Sequence, residues 1–142
     1  MTQRTSRAEW NGDLKSGNGR LEVGDGVFTG AYTFASRFEE GDGTNPEELI
    51  GAAHAACFSM ALSNMLAQAG SPADAVRTEA TVHLEPVDGA QTITRVHLTT
   101  RGQVPGIDAD AFVEHAENAK EKCPVSRLLQ AAEITLDAQL EG

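Results

Sequence analysis

Cys57 and Cys123 are the only two cysteines in the chain, and a thiolate is both a strong nucleophile and a reversible redox centre. Their local settings differ. Cys123 follows Lys122 and precedes Pro124, where the start of a short helix and an adjacent ammonium both favour ionisation. Cys57 falls in the middle of a long apolar helical run, beyond the first turn in which the helix dipole acts. A reactive thiolate there requires a cation from elsewhere, and arginine keeps its charge best when partly buried. The plainer alternative is that each cysteine is a small apolar filler of the core. His54 stands three residues before Cys57 on the same helix face, so these two could form half of a zinc site completed by His115 and Cys123. No ligand pair has the tight spacing of structural zinc motifs, and His54 also reads as a partly buried polar residue satisfied by a carbonyl or water. Gly17-Asn18-Gly19 and Gly24-Asp25-Gly26 lack the strand and helix of a phosphate loop and read as turns. No Ser, His and acid set stands out.

The elements that must position these residues follow from periodicity and punctuation. Asn11-Gly12, Asn18-Gly19, Asp25-Gly26 and Asp42-Gly43 mark tight turns in the N-terminal third. Short strands are expected between them at Ala8 to Trp10, Gly19 to Val23 and Ala31 to Phe38. In the last of these, alternation sets Arg37 on the face opposite Phe34 and Phe38. Asn45 as N-cap, Pro46 at the first helical position and Glu48 at the capping-box position predict a helix that runs to Gly70-Ser71-Pro72. It is apolar around nearly its whole circumference, which predicts burial on all sides. His54, Asn64 and Gln68 argue against a membrane span. Arg77 to Glu85 and Thr92 to Arg101 read as a hairpin around Asp88-Gly89. A helix follows, with Asp108 as N-cap, an Ile107/Phe112 staple and Lys120 and Lys122 in its last turn. A short helix from Val125 to Ala132 and a closing strand around Ile134, Leu136, Ala138 and Leu140 complete the pattern. The fold class is therefore α+β, with antiparallel sheet around one long central helix in a single domain of residues 1–142. A small sheet covers one side of such a helix, so the remainder is expected to face a second copy of the chain.

Composition narrows the function. Acidic residues number 21 against 11 Lys and Arg, a net charge of −10, which repels nucleic acid and anionic membranes. Residues 1–8 hold no apolar run of signal-peptide length and the C-terminal residues no lipidation pattern, so the expected location is cytoplasmic, where structural disulfides are rare. Aromatic residues are 5% of the chain, leaving a thin core of small aliphatic residues that gains from a partner chain.

The segment Gly43-Thr44-Asn45-Pro46-Glu47-Glu48-Leu49-Ile50-Gly51-Ala52-Ala53-His54-Ala55-Ala56-Cys57-Phe58-Ser59-Met60-Ala61, with Val104-Pro105-Gly106-Ile107-Asp108 and Cys123-Pro124-Val125-Ser126, closely resembles the osmotically inducible OsmC branch of the OsmC/Ohr family of thiol-dependent hydroperoxide reductases. The resemblance extends from Trp10-Asn11-Gly12 to the final strand. It implies that Cys57 is the peroxidatic cysteine, Cys123 the resolving one, Glu47 the glutamate after Asn-Pro, and Arg37 of Ser36-Arg37-Phe38 the arginine of this branch. In the Ohr branch the arginine comes from the N-terminal hairpin, where this chain has Gly17 and Arg20, so Arg20 is the alternative cation. The structural alternatives are a solvated strand arginine at Arg37 and an ordinary helix N-terminal acid at Glu47.

The implied reaction is attack of the Cys57 thiolate on a hydroperoxide, a Cys57 sulfenic acid, and a Cys57–Cys123 disulfide reduced by a dithiol donor such as a lipoylated protein. No cofactor or metal is implied. An apolar wall of Phe58 and Met60 is expected to favour organic hydroperoxides over hydrogen peroxide. Glu47 and Cys57 lie ten residues apart, about 15 Å along one helix and on different faces. If Glu47 serves the Cys57 site it comes from the other protomer, which implies an intertwined homodimer with two interfacial active sites. A metal-binding module and an acidic ligand carrier with packing cysteines are the competing classes.

Overall fold

Thr33 is where the chain departs from the alternation pattern. In the computed structural model, which describes residues 1–142, Thr33 Oγ1 accepts from the Ser36 backbone N–H at 3.1 Å and Ser36 Oγ accepts from the Thr33 N–H at 2.8 Å. This reciprocal cap starts a short helix, α1 (Phe34–Phe38), in place of the strand expected through Phe38. Such local side-chain bonds compete directly with a strand ladder. Phe34 and Phe38 then stack one turn apart with ring centroids at 5.0 Å, and Arg37 lies beside them with its guanidinium carbon 5.3 Å from the Phe38 ring centre. The opposite-face placement of Arg37 is thereby corrected.

The chain divides into two compact units, residues 1–49 and 50–142. In the first, β1 (Ser6–Asn11), β2 (Asn18–Val23) and β3 (Phe28–Tyr32) form an antiparallel meander; β1 and β2 contain the strands expected at Ala8 to Trp10 and Gly19 to Val23, whereas β3 lies ahead of the one expected from Ala31 and shares only Ala31 and Tyr32 with it. Gly19 lies opposite both Trp10 and Tyr32 in the ladder. A Cβ on it would sit 2.5 Å from the Tyr32 ring and 2.7 Å from that of Trp10, so its lack of a side chain lets the two rings meet across the sheet with centroids at 5.4 Å.

The long helix α2 (Pro46–Gln68) begins in the first unit and runs through the second. Asn45 Oδ1 accepts from the Glu48 N–H at 2.8 Å, while the Glu48 carboxylate takes the Asn45 side-chain amide instead of its backbone. Gly70, with φ at +88°, ends the helix as the Ser71 N–H bonds the Leu66 carbonyl at 2.9 Å. Burial on all sides is not what the chain shows. Gly51, His54, Phe58, Leu62 and Leu66 form one buried stripe, whereas Ala52, Ala53, Ala56 and Met60 are exposed, Met60 at 74%. The reason is that one three-stranded sheet covers one helix face. By length and composition α2 could cross a bilayer, with a mean hydropathy of 1.4 over its most apolar 18-residue window, but its buried stripe is taken up by packing on a sheet.

That sheet consists of β4 (Ala75–Val87), β5 (Ala90–Gln103) and β6 (Glu133–Leu140). Asp88 and Gly89, at φ 51° and 82°, make the two-residue turn whose twist suits a hairpin. β6 pairs with β5 in parallel, so the sheet is mixed where an antiparallel one was expected. The connection from β5 to β6 passes through α3 (Ala109–Lys122) and α4 (Pro124–Leu128), a helical crossover of the kind parallel strands require. Asp108 caps α3 as expected. α4 stops after one turn, short of Ala132, where the Ala132 N–H bonds the Leu129 carbonyl. Phe58, Leu62 and Leu66 of α2 meet Val96, Leu98, Phe112, Ala116, Ala119 and Cys123 in the core. A hydroxyl chain also ties α2 to the sheet: Ser59 to Thr78 at 2.7 Å and Thr78 to Thr100 at 2.9 Å.

Gly102 of β5 lies under Phe112, whose ring would be 2.5 Å from an added Cβ. Gly102→Ala should therefore cost about 1–3 kcal/mol through forced repacking, read as a lower denaturant midpoint with an unchanged slope.

Candidate functional site

Within the first unit, Arg37 and Glu47 meet edge-on. Arg37 Nη2 donates to Glu47 Oε1 at 2.8 Å, and Nε reaches both carboxylate oxygens at 3.1 and 3.3 Å. The Glu47 side chain is 11% exposed and that of Arg37 36%, so the carboxylate is enclosed while the guanidinium keeps an open side. Their positions are fixed locally. Ser36 Oγ donates to the Thr44 carbonyl at 2.7 Å, and the Asn45 amide donates to the Ser36 carbonyl at 2.9 Å, which holds α1 against the start of α2. A cleft of about 430 Å³ opens at Arg37, lined by Trp10, Leu14, Tyr32, Phe34 and Phe38. Arg20, the alternative cation, instead bonds Thr29 at 3.3 Å on the exposed sheet.

Within the second unit, Cys57 and Cys123 are brought together although 66 residues separate them. Both are free thiols, Cys57 half-buried and Cys123 buried, and Cys57 packs against the core cluster that contains Cys123, close enough for the two thiols to act on each other. Burial pushes the Cys57 thiol up, and the hydrogen bond to Cys123 adds to the rise against an opposing bond from the Val125 backbone. No cation acts to lower it. A neutral thiol is a poor nucleophile, so within this unit Cys57 lacks the charge that would activate it.

His54 is fully buried, and its Nε2 lies 2.7 Å from Oγ of Ser126, itself 2% exposed. Sequence reasoning missed Ser126; the available signal was its place three residues after Cys123, mirroring His54 three residues before Cys57. Burial also pushes the His54 pKa down. No three His, Cys, Asp or Glu side chains gather as a metal site, so His54, Cys57, His115 and Cys123 do not form the tetrahedral set considered from sequence. Phe58 is enclosed in the core and cannot supply a substrate wall, and Met60 lies instead beside a shallow groove with Ser59, Asn64 and Val76.

These pairings gain meaning beside known proteins. The model of the OsmC-like protein family matches residues 39–138. The chain belongs to that family. It is 51% identical over 137 residues to Peroxiredoxin OsmC of Escherichia coli (strain K12), with 96% of this chain and 95% of that one covered, and matches Peroxiredoxin OsmC of Shigella flexneri equally. Among solved structures it resembles an organic hydroperoxide resistance protein from Elizabethkingia anophelis, at TM-score 0.80 and 24% identity over 99% of each chain. It also resembles the organic hydroperoxide resistance protein OhrB of Bacillus subtilis, at TM-score 0.73 and 26% identity over 96% of this chain and 98% of that one. As an OsmC-like protein it thus shares both the family sequence pattern and the α+β fold of hydroperoxide resistance proteins.

The buried His54 has a consequence for stability. Its pKa in the fold lies below the ordinary 6.5, so below about pH 6.5 the unfolded chain binds a proton that the folded chain resists. Stability should be fully present above that pH and fall as acid is added, and the decline between pH 6.5 and 5 should flatten in His54→Gln, as followed by thermal unfolding.

Proposed function

We propose that the chain is a thiol-dependent peroxidase that reduces organic hydroperoxides, and hydrogen peroxide more weakly, in defence against oxidative and osmotic stress. The observation that carries this reading is the contact between the only two thiols, Cys57 and Cys123, in a chain half identical to Peroxiredoxin OsmC. The Cys57 thiolate attacks the distal oxygen of the hydroperoxide and the O–O bond breaks. The sulfur becomes a sulfenic acid, and the leaving alkoxide takes a proton to become an alcohol. Cys123 then attacks the sulfenic sulfur, forming the disulfide and releasing water. A dithiol donor, a lipoylated protein among those that fit, reduces the disulfide and is itself oxidised.

The raised Cys57 thiol requires a cation, and the guanidinium that Glu47 holds with one side open is suited to supply it. The arrangement we favour is an intertwined homodimer in which each 142-residue chain contributes one OsmC-like domain. Cys57 and Cys123 of one chain then work with Arg37 and Glu47 of the other. Two features support it: the helical distance between Glu47 and Cys57, and the exposed Ala52, Ala53, Ala56 and Met60 face that a second copy would cover. Arg37 would stabilise the thiolate and hold the peroxide beside the aromatic cleft of Trp10, Phe34 and Phe38.

Consumption of an organic hydroperoxide with a dithiol reductant tests the reading, with wild type active and Cys57→Ser at background. Arg37→Ala should raise the Cys57 pKa and slow the reaction about tenfold per pH unit of that rise, whereas Arg20→Ala should leave the rate unchanged. Mixed Cys57→Ser and Glu47→Ala protomers should regain activity through one intact site per heterodimer. Verified heterodimers with no activity would show that the site is built within one chain.

A further inference from the structure

The sulfurs are not the only link between α2 and the short helix after Cys123. His54 precedes Cys57 by three residues and Ser126 follows Cys123 by three, and the two meet through Nε2 and Oγ at 2.7 Å across 72 residues of sequence. His54 and Cys57 share one face of α2, and Cys123 and Ser126 are the N-cap and the third helical residue of α4. The two contacts therefore run in opposite chain order, His54 with Ser126 and Cys57 with Cys123, as neighbouring rungs. Both members of the second rung are buried, at 0% and 2% exposure. The His54 rung is also polar where its stripe on α2 is otherwise Gly51, Phe58, Leu62 and Leu66, and His54 Nδ1 is buried without a partner. An apolar residue there would fill the stripe without leaving a nitrogen unsatisfied. What an apolar residue would lack is direction.

We propose that His54 and Ser126 are positioning residues for the resolving half of the reaction. They fix the register of α4 on α2 so that Cys123 stays aligned with Cys57 after the first sulfur has been oxidised. The inference rests on the peroxidase reading above. A disulfide forms only near about 2.05 Å with a torsion of roughly 90°, a narrower tolerance than side-chain packing imposes, and a hydrogen bond between two buried groups fixes both distance and angle. The rung contains no redox-active atom, so it persists while its neighbour changes. The step it serves is balanced: Cys57–SOH and Cys123–SH give the Cys57–Cys123 disulfide and water, the oxidising equivalents having come from the hydroperoxide. A slow second step leaves the sulfenic acid to meet a second peroxide and become sulfinic acid.

Single-turnover kinetics separate the two steps. Cys57 sulfenic acid is trapped with dimedone, and disulfide and sulfinic acid are quantified by mass spectrometry. Ser126→Ala and His54→Leu should form the sulfenic acid at the wild-type rate but close the disulfide on the order of 10- to 100-fold more slowly. They should also accumulate Cys57 sulfinic acid at a peroxide excess that wild type survives. The double variant should be no slower than either single one, and Ser126→Thr, which keeps the hydroxyl, should stay near wild type. Disulfide closure at the wild-type rate in folded Ser126→Ala overturns the proposal, as does an equal slowing of both steps, and Ser126→Ala decides if His54→Leu does not fold. Wild type that forms no Cys57 sulfenic acid overturns the peroxidase reading, and this inference with it.

Discussion

A helix whose apolar residues run around its whole circumference can be satisfied by a three-stranded sheet on one side only. That mismatch governs this molecule. β4, β5 and β6 take the stripe of Gly51, His54, Phe58, Leu62 and Leu66, and the Ala52, Ala53, Ala56 and Met60 face is left in solvent. Alanines on the open face favour the helix itself and leave a surface with little bulk. The same constraint places Cys57 at the edge of the covered stripe, half-buried, packed against the core on one side and open on the other.

Electrostatics follow a similar division. The thiol has been desolvated without a compensating charge, and the guanidinium has been given a carboxylate that orients it while one side stays open. Each pair would be costly or idle if it were the whole site: a buried neutral sulfur reacts slowly, and an arginine fully occupied by glutamate has nothing left to bind. The thiol pair belongs to one unit of the chain and the oriented guanidinium to the other.

Much of this was legible in the sequence where the signals were local. Asn45, Asp108 and the Asp88-Gly89 turn announced their elements because a cap or a positive φ depends on few neighbours. The cysteine pairing was implied by resemblance and not by spacing, since nothing local connects residues 57 and 123. Failures fell where a short-range bond competed with periodicity or where the missing information was topological. Thr33 and Ser36 turned an alternating stretch into a helix through two hydrogen bonds, and the direction of β6 depended on where a two-helix connection came to rest. The His54–Ser126 contact was missed because it is a tertiary pairing, and the only hint of it was the mirrored three-residue offset of each from a cysteine.

The parallel pairing of β6 with β5 gives the order of events during folding a bearing on chemistry. β4 and β5 are joined by a two-residue turn and can pair as soon as both exist, whereas β6 pairs only after α3 and α4 have been made and folded back. Cys123 sits within that returning connection. A nascent chain that has already formed α2 and the hairpin thus presents Cys57 before Cys123 is in place. Until the last strand docks, the Cys57 thiol lacks the neighbour that it has in the finished fold.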